Sequence, residues 1–226
     1  MQKVIDYYRD IFGKYGANDE RSLGWSKNKQ YVRFAQLFRF LFSSVEENSK
    51  KSLLDIGCGF GDMYAFLKKS ELQDNIDYYG IDMMQEFIDV AVSNHPDKKD
   101  DFRCLEFLSM DESVKYDYCV ASGIFGHKIF DTEDEIYEQV EKTMQKALNV
   151  CNIGVSFDFL SDKVDYRTST EDFHASPAKI LEIAYKFSRR VILDNSAMPF
   201  EFCITVFKDD SFSKENTIFT KYSEKC

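Results

Sequence analysis

Leu53-Leu54-Asp55-Ile56-Gly57-Cys58-Gly59-Phe60-Gly61 carries a short apolar run straight into three glycines spaced one residue apart. The apolar run, Ser52 to Ile56, reads as a buried strand, and Met63 to Lys69 beyond the glycines reads as a helix. Glycines permit positive φ and let other atoms approach the backbone closely. The first turn of the helix offers unpaired N–H groups. In an open α/β sheet, ligands bind at such a turn, beyond the carboxyl end of a strand.

Outward from this turn the chain alternates between strand and helix patterns. Strands are expected at Tyr78 to Ile81, Phe102 to Leu105, Tyr116 to Ala121 and Ile153 to Phe159, and helices at Gln85 to Ser93 and Glu133 to Val150. Pro177 suits the first position of a further helix, where its missing N–H costs nothing, and that helix is expected to run to about Ser188. Arg190 to Leu193 and Phe202 to Phe207 form two last strands. Asp194 to Glu201 is too short for a parallel crossover, so these two are antiparallel. Short strands alternating with longer helices imply a mostly parallel sheet covered on both faces. Residues 1–46 read as an N-terminal helical cap, with apolar stripes through Val4, Ile5, Tyr8, Ile11 and Phe12 and through Tyr31, Phe34, Leu37, Phe38 and Leu41. Residues 50–208 form the α/β core and 209–226 a polar tail, all within a single domain.

The 226 residues are 44% hydrophobic and 30% charged, enough apolar surface for a sizeable core. The net charge is −10 and the pI about 4.9, which argues against nucleic acid as a partner. Lys14, Arg21, Lys27, Lys29, Arg33 and Arg39 are the one basic grouping, and they read as a sparse solvated helix face. The six cysteines form no C-x-x-C pair and several lie in strand patterns, implying buried reduced thiols rather than disulfides or zinc ligands. No metal site is expected from the three scattered histidines. The first residues lack the apolar run of a signal peptide, and no stretch approaches the roughly twenty apolar residues of a membrane span. The expected location is the cytoplasm. Oligomeric state is not encoded in any pattern we read.

Two acids sharpen the ligand. Dinucleotide enzymes use G-x-G-x-x-G and seat a pyrophosphate on the helix start. Here the spacing is G-x-G-x-G, with Asp55 two residues before the first glycine, and Asp82 ends the second strand. An acid inside the turn suits a cationic group better than a pyrophosphate. Asp82 can accept hydrogen bonds from both hydroxyls of a ribose, which a dinucleotide offers as well, so Asp82 alone does not discriminate.

Leu53 to Met63, followed by Ile81-Asp82, resembles motifs I and II of the class I S-adenosylmethionine-dependent methyltransferases, and the resemblance covers residues 50 to 208. It implies a Rossmann-like seven-stranded, mostly parallel sheet with an antiparallel last strand and helices on both faces. It also implies S-adenosylmethionine as cofactor, a molecule with a sulfonium and an ammonium but no phosphate. Asp55, Gly57, Cys58, Gly59 and Gly61 would line its methionine end, and Asp82, with Met83 beside it, would hold the ribose. Glu106 matches the acidic position near the adenine amino group, Phe107 would pack on the ring, and Ser122-Gly123 matches the segment beneath the sulfonium. Ala121 to Phe125, Phe157 to Ser161 and Met198 to Phe202 resemble a narrower bacterial group of undefined substrate, which carries Asn at the positions of Gly126 and Asp158 here.

The sulfonium methyl is already activated, so transfer needs mainly alignment in a dry pocket, with a base where the acceptor carries a proton. His127 and Asp158 are the candidate bases; His127 reads more readily as a surface histidine opening the next helix, and Asp158 also reads as a substrate clamp or a solvated acid. Tyr15, Trp25 and Gln30 in the cap, Tyr166 and Arg167 on the loop after strand five, and Glu201 before the last strand are candidates to line a small-molecule acceptor site. No Asn/Asp-Pro-Pro-aromatic run and no Pro-Cys follows strand four, which disfavours adenine or glutamine amino groups and pyrimidine carbons as acceptors. The expected reaction is methyl transfer to oxygen or nitrogen of a small metabolite or a sugar-containing precursor. A nicotinamide-dependent oxidoreductase, a non-catalytic binding or scaffold protein and an RNA methyltransferase are the rival readings.

Overall fold

A computed structural model describes residues 2–17, 19, 22, 27–41, 50–165 and 171–208. Its centre is a seven-stranded sheet in the order β3-β2-β1-β4-β5-β7-β6. The strands are β1 (Lys51–Ile56), β2 (Ile76–Asp82), β3 (Phe102–Cys104), β4 (Tyr116–Ala121), β5 (Cys151–Leu160), β6 (Arg190–Asp194) and β7 (Glu201–Phe207). β1 to β5 pair in parallel, and β7 inserts antiparallel between β5 and β6. The order reverses between β1 and β4, which places the glycine turn at the switch point of the sheet.

Successive β1 residues serve opposite faces, as the period of a strand requires. Leu54 and Ile56 pack with α5 (Glu133–Val150) and α6 (Pro177–Tyr185), through Ile136, Val140, Met144, Ile180 and Ile183. Leu53 packs on the other face with α2 (Lys27–Phe38), α3 (Asp62–Lys69) and α4 (Gln85–Asn94), through Phe34, Leu37, Met63, Leu67 and Ile88. A third, smaller cluster of Phe60, Met84 and Phe87 receives Ile5, Tyr8 and Phe12 of α1 (Gln2–Tyr15). No α1 residue is fully buried, so this helix lies on the core rather than in it.

Helix α5 has the expected bounds because its start is doubly fixed. Thr132 accepts from the Glu135 N–H while Glu135 reaches back to the Thr132 N–H, a capping box. α6 ends at Tyr185, three residues short of the expected end, where Lys186 and Phe187 turn back to the carbonyls of Ile183 and Ala184.

Two expectations are corrected here. Arg33 and Arg39 do not form a solvated basic face: Arg33 is 3% exposed and paired with Glu201, and Arg39 bonds Asp194 and Ser196. The five described thiols are free, and Cys58, Cys119, Cys151 and Cys203 are buried, but Cys104 on the short edge strand β3 is exposed; Cys226 lies outside the described residues. No helix among the described residues is long and apolar enough to cross a membrane.

Candidate functional site

The turn after β1 folds back on the end of β2: the N–H groups of Gly57 and Cys58 both donate to the Ile81 carbonyl, at 2.8 and 3.0 Å. Gly57 has φ +74°, and a Cβ there would lie 2.5 Å from Cγ2 of Ile124. Gly61, φ +79°, precedes α3, and a Cβ there would meet His95 at 2.7 Å. Both positions therefore exclude side chains twice over, by backbone conformation and by space.

Asp82 ends β2 and is pinned by the loops around it. Its Oδ2 accepts from the Gly59 N–H at 3.0 Å and its Oδ1 from the Met84 N–H at 2.9 Å. Burial pushes its pKa up to about 6, against the pull of these backbone donors. Asp55 is 2% exposed and accepts from the Tyr78 hydroxyl at 2.7 Å. Burial pushes it up to about 7; the Tyr78 bond opposes this, while Asp82, Asp158 and Asp62 add to it.

A cleft of about 1190 Å³, open solvent at its mouth included, starts at these acids. Asp55, Gly57, Cys58, Gly59, Asp82, Met83, Phe107, Ser122 and Gly123 line it together. Two residues expected to touch the cofactor stand outside the lining. Gly61 shapes the entry into α3, and Glu106 is half-buried at the head of the 3-10 turn 107–109, its carbonyl accepting from Ser109. The sequence reading missed Val4 and Tyr8 of α1 and Phe34 of α2, which close the cleft from the cap, and Gln139 and Thr143 of α5. Val4 and Tyr8, four residues apart, read in the sequence only as a packing stripe. Gln139 and Thr143 share that spacing, and polar residues bordering the buried stripe of an amphipathic helix were the available signal.

The residues expected at the rim divide. His127 is half-buried and is not among the residues lining the cleft, its Nδ1 3.6 Å from Asp172 and its ring 5.2 and 6.2 Å from those of Tyr7 and Tyr8. Burial lowers its pKa, with Asp172 and Glu171 opposing. Asp158 sits behind the Ser122–Gly123 turn, accepting from the Ser122 hydroxyl at 2.5 Å and the Gly123 N–H at 2.7 Å. Glu201 is not a rim acid: it is 3% exposed and receives Arg33 through two guanidinium nitrogens. Arg33, Asp158 and Glu201 line a small separate cavity that shares Gly123 with the main cleft. Gln30 is buried and bonds Asp62 at 3.3 Å, one step from the cleft wall. Tyr15 is half-buried on α1, under the Lys14 ammonium, and does not line the cleft. Trp25, Tyr166 and Arg167 lie outside the described residues.

The charge of the cleft tests the expected cofactor. Asp55, Asp62 and Asp82 line it, and among its described lining residues there is no Lys, Arg or His. Burying carboxylates without counter-ions is costly unless a ligand brings the positive charge. A sulfonium nucleoside with an ammonium group fits such a field, whereas a pyrophosphate would be repelled by it.

A family model described as "Methyltransferase domain" matches residues 54–154. A Mycobacterium tuberculosis (strain H37Rv) protein with a provisional methyltransferase name, Rv1506c, is 28% identical over 160 residues, covering 70% of this chain and 93% of that one. Among solved structures, the magnesium protoporphyrin IX methyltransferase of Synechocystis PCC 6803, with bound SAH, has a TM-score of 0.59 at 12% identity, covering 90% and 93% of the two chains. The N-methyltransferase NodS of Bradyrhizobium japonicum WM9, in complex with S-adenosyl-L-homocysteine, has a TM-score of 0.60 at 13% identity, covering 92% and 100%. With the strand order, the glycine turn and the acid-lined cleft, these likenesses support a methyltransferase of the class I, S-adenosylmethionine-dependent kind.

Proposed function

We propose that the protein transfers a methyl group to oxygen or nitrogen of a small metabolite or a sugar-containing acceptor. Bound S-adenosylmethionine would supply the activated methyl. Asp82 would hold its ribose, Asp55 would face its ammonium, Phe107 would pack on the adenine, and the Ser122–Gly123 turn would lie under the sulfonium. Val4, Tyr8 and Phe34 would keep water from the reacting atoms.

The observation that carries the reading is a cleft that brings together acids, with no basic side chain in the described lining, and apolar aromatic side chains. The acids match a cationic cofactor; Phe34, Phe125 and Phe130 leave an apolar wall for an acceptor. The absence of basic side chains from the described lining favours a neutral or cationic acceptor over a phosphorylated one. Neither His127 nor Asp158 lines the cleft, so the rate in this reading comes mainly from alignment, which can supply about 7–11 kcal/mol.

Methyl-labelled S-adenosylmethionine, incubated with the protein and separated small-molecule, RNA and protein fractions of a cell extract, tests it. Label is expected in the small-molecule fraction. Label in RNA alone, or cofactor binding with no transfer to any fraction, would contradict it.

A further inference from the structure

Asp55 is the carboxylate that the proposed function sets against the cofactor's ammonium, and the role inferred for its neighbour Tyr78 rests on that reading. The surroundings of Asp55 are poor for an anion. Asp82 at the end of β2, Asp158 on β5 and Asp62 on α3 all press on it, and Cys58 in the turn stays a thiol because burial, Asp82 and Asp55 raise its pKa. Tyr78 on β2 is the one neighbour whose effect on Asp55 runs the other way.

The register explains how Tyr78 reaches it. Asp55 lies opposite Gly80, and Tyr78 opposite Leu53, so Tyr78 is the diagonal neighbour of Asp55 on the same face. Gly80 has no side chain, and Phe102 and Cys58 already fill the space that a Cβ would take. The Tyr78 ring is held at 5.3 Å from Tyr64 and 5.7 Å from Phe102, fully buried, so its hydroxyl points to one acceptor, Asp55 Oδ2. Tyr78 does not line the cleft and acts only through that carboxylate.

We propose that Tyr78 is a positioning residue for cofactor binding: its hydroxyl aims the Asp55 carboxylate and sustains its charge among the surrounding acids. A donor to the ionised form favours that form, so removal of the hydroxyl leaves Asp55 protonated over a wider pH range.

Calorimetric titration of the full chain with S-adenosylhomocysteine from pH 5.5 to 8.5 tests this. Wild-type affinity is expected to fall as pH drops through about 7, where Asp55 gains its proton. Tyr78→Phe is expected to move that midpoint up by about one unit, a loss of roughly tenfold at pH 6 that nearly disappears at pH 8.5. Asp55→Asn is expected to remove the step near 7 and leave only the lower one near 6 that Asp82 contributes. Uniform 3-fluorotyrosine labelling, which makes the phenol a stronger donor without removing the ring, is expected to move the midpoint down, and it serves if Tyr78→Phe does not fold. Equal weakening of Tyr78→Phe at every pH, or a step near 7 that survives in Asp55→Asn, would overturn the proposal and leave the cofactor reading intact. Failure of the wild type to bind at any pH would overturn the cofactor reading and this proposal with it.

Discussion

Two sets of buried carboxylates lie in the same sheet with opposite surroundings. Asp55, next to last in β1, and Asp82, last in β2, line a cleft whose described lining has no basic side chain. Glu201 and Asp194, on β7 and β6, each receive an arginine from the α2 segment: Arg33 pairs with Glu201, and Arg39, just past the helix end, bonds Asp194 at 3.0 Å. Gln36, between them, adds a bond to the Asp194 carbonyl. The pKa shifts follow the partners. Burial raises Asp55 and Asp82, whereas at Asp194 the bonds from Ser196 and Arg39 outweigh burial and hold the carboxyl below its usual range. A carboxylate whose counter-ion is built into the chain fastens the cap to the sheet. At a carboxylate left without one, the proposed cationic cofactor would supply the charge.

The largest expected effect breaks the fastened set. Glu201→Ala leaves Arg33 buried without its carboxylate and is expected to cost about 3–5 kcal/mol in urea unfolding. Replacing both partners, Arg33→Met with Glu201→Leu, should recover most of that loss; a single variant within about 1 kcal/mol of wild type would remove the distinction. Next comes the ligand set. Asp82→Ala removes the carboxylate proposed to hold the ribose and the anchor of the Gly59 N–H, and is expected to weaken S-adenosylhomocysteine binding by more than about tenfold, read by calorimetry.

A smaller effect concerns pH. The folded-state pKa values of Asp55 and Asp82, about 7 and about 6, lie above their ordinary value of 3.8. Their contribution to the stability of the free protein is therefore full below that ordinary value and is lost as pH rises through 6 and 7. Thermal melts are expected to show Asp55→Asn more stable than wild type at pH 8, by on the order of 2–4 °C for each kcal/mol relieved, and level with it at pH 4. A lower melting temperature at pH 8 would count against an uncompensated charge there. The smallest effect is expected at the fastened set's exposed end: Arg39 is half exposed, and Arg39→Ala should cost about 1 kcal/mol or less.

The unpaired set was legible in the sequence because its signal is local. Asp55, the three glycines and Asp82 occupy fixed places at strand ends, and the periodicity of the apolar residues placed β4 and α5 at their observed bounds. The paired set was not legible. Arg33 and Glu201 are 168 residues apart, and nothing near either one shows that helix α2 brings them together. Arg33 looks in the sequence like one cation of a solvated face, and Glu201 like an acid on a hairpin. Tyr78 reads there only as the first residue of a strand, since its hydroxyl acquires meaning from the β1–β2 register and not from its own neighbours in the chain.

In the function proposed, the acid-lined glycine turn receives a sulfonium nucleoside. Parallel calorimetric titrations with S-adenosylhomocysteine and with NAD at pH 8, where Asp55 and Asp82 are ionised, test it most directly. Saturable one-to-one binding of S-adenosylhomocysteine and none of NAD is the expected result. Binding of NAD, or of neither, would contradict the account.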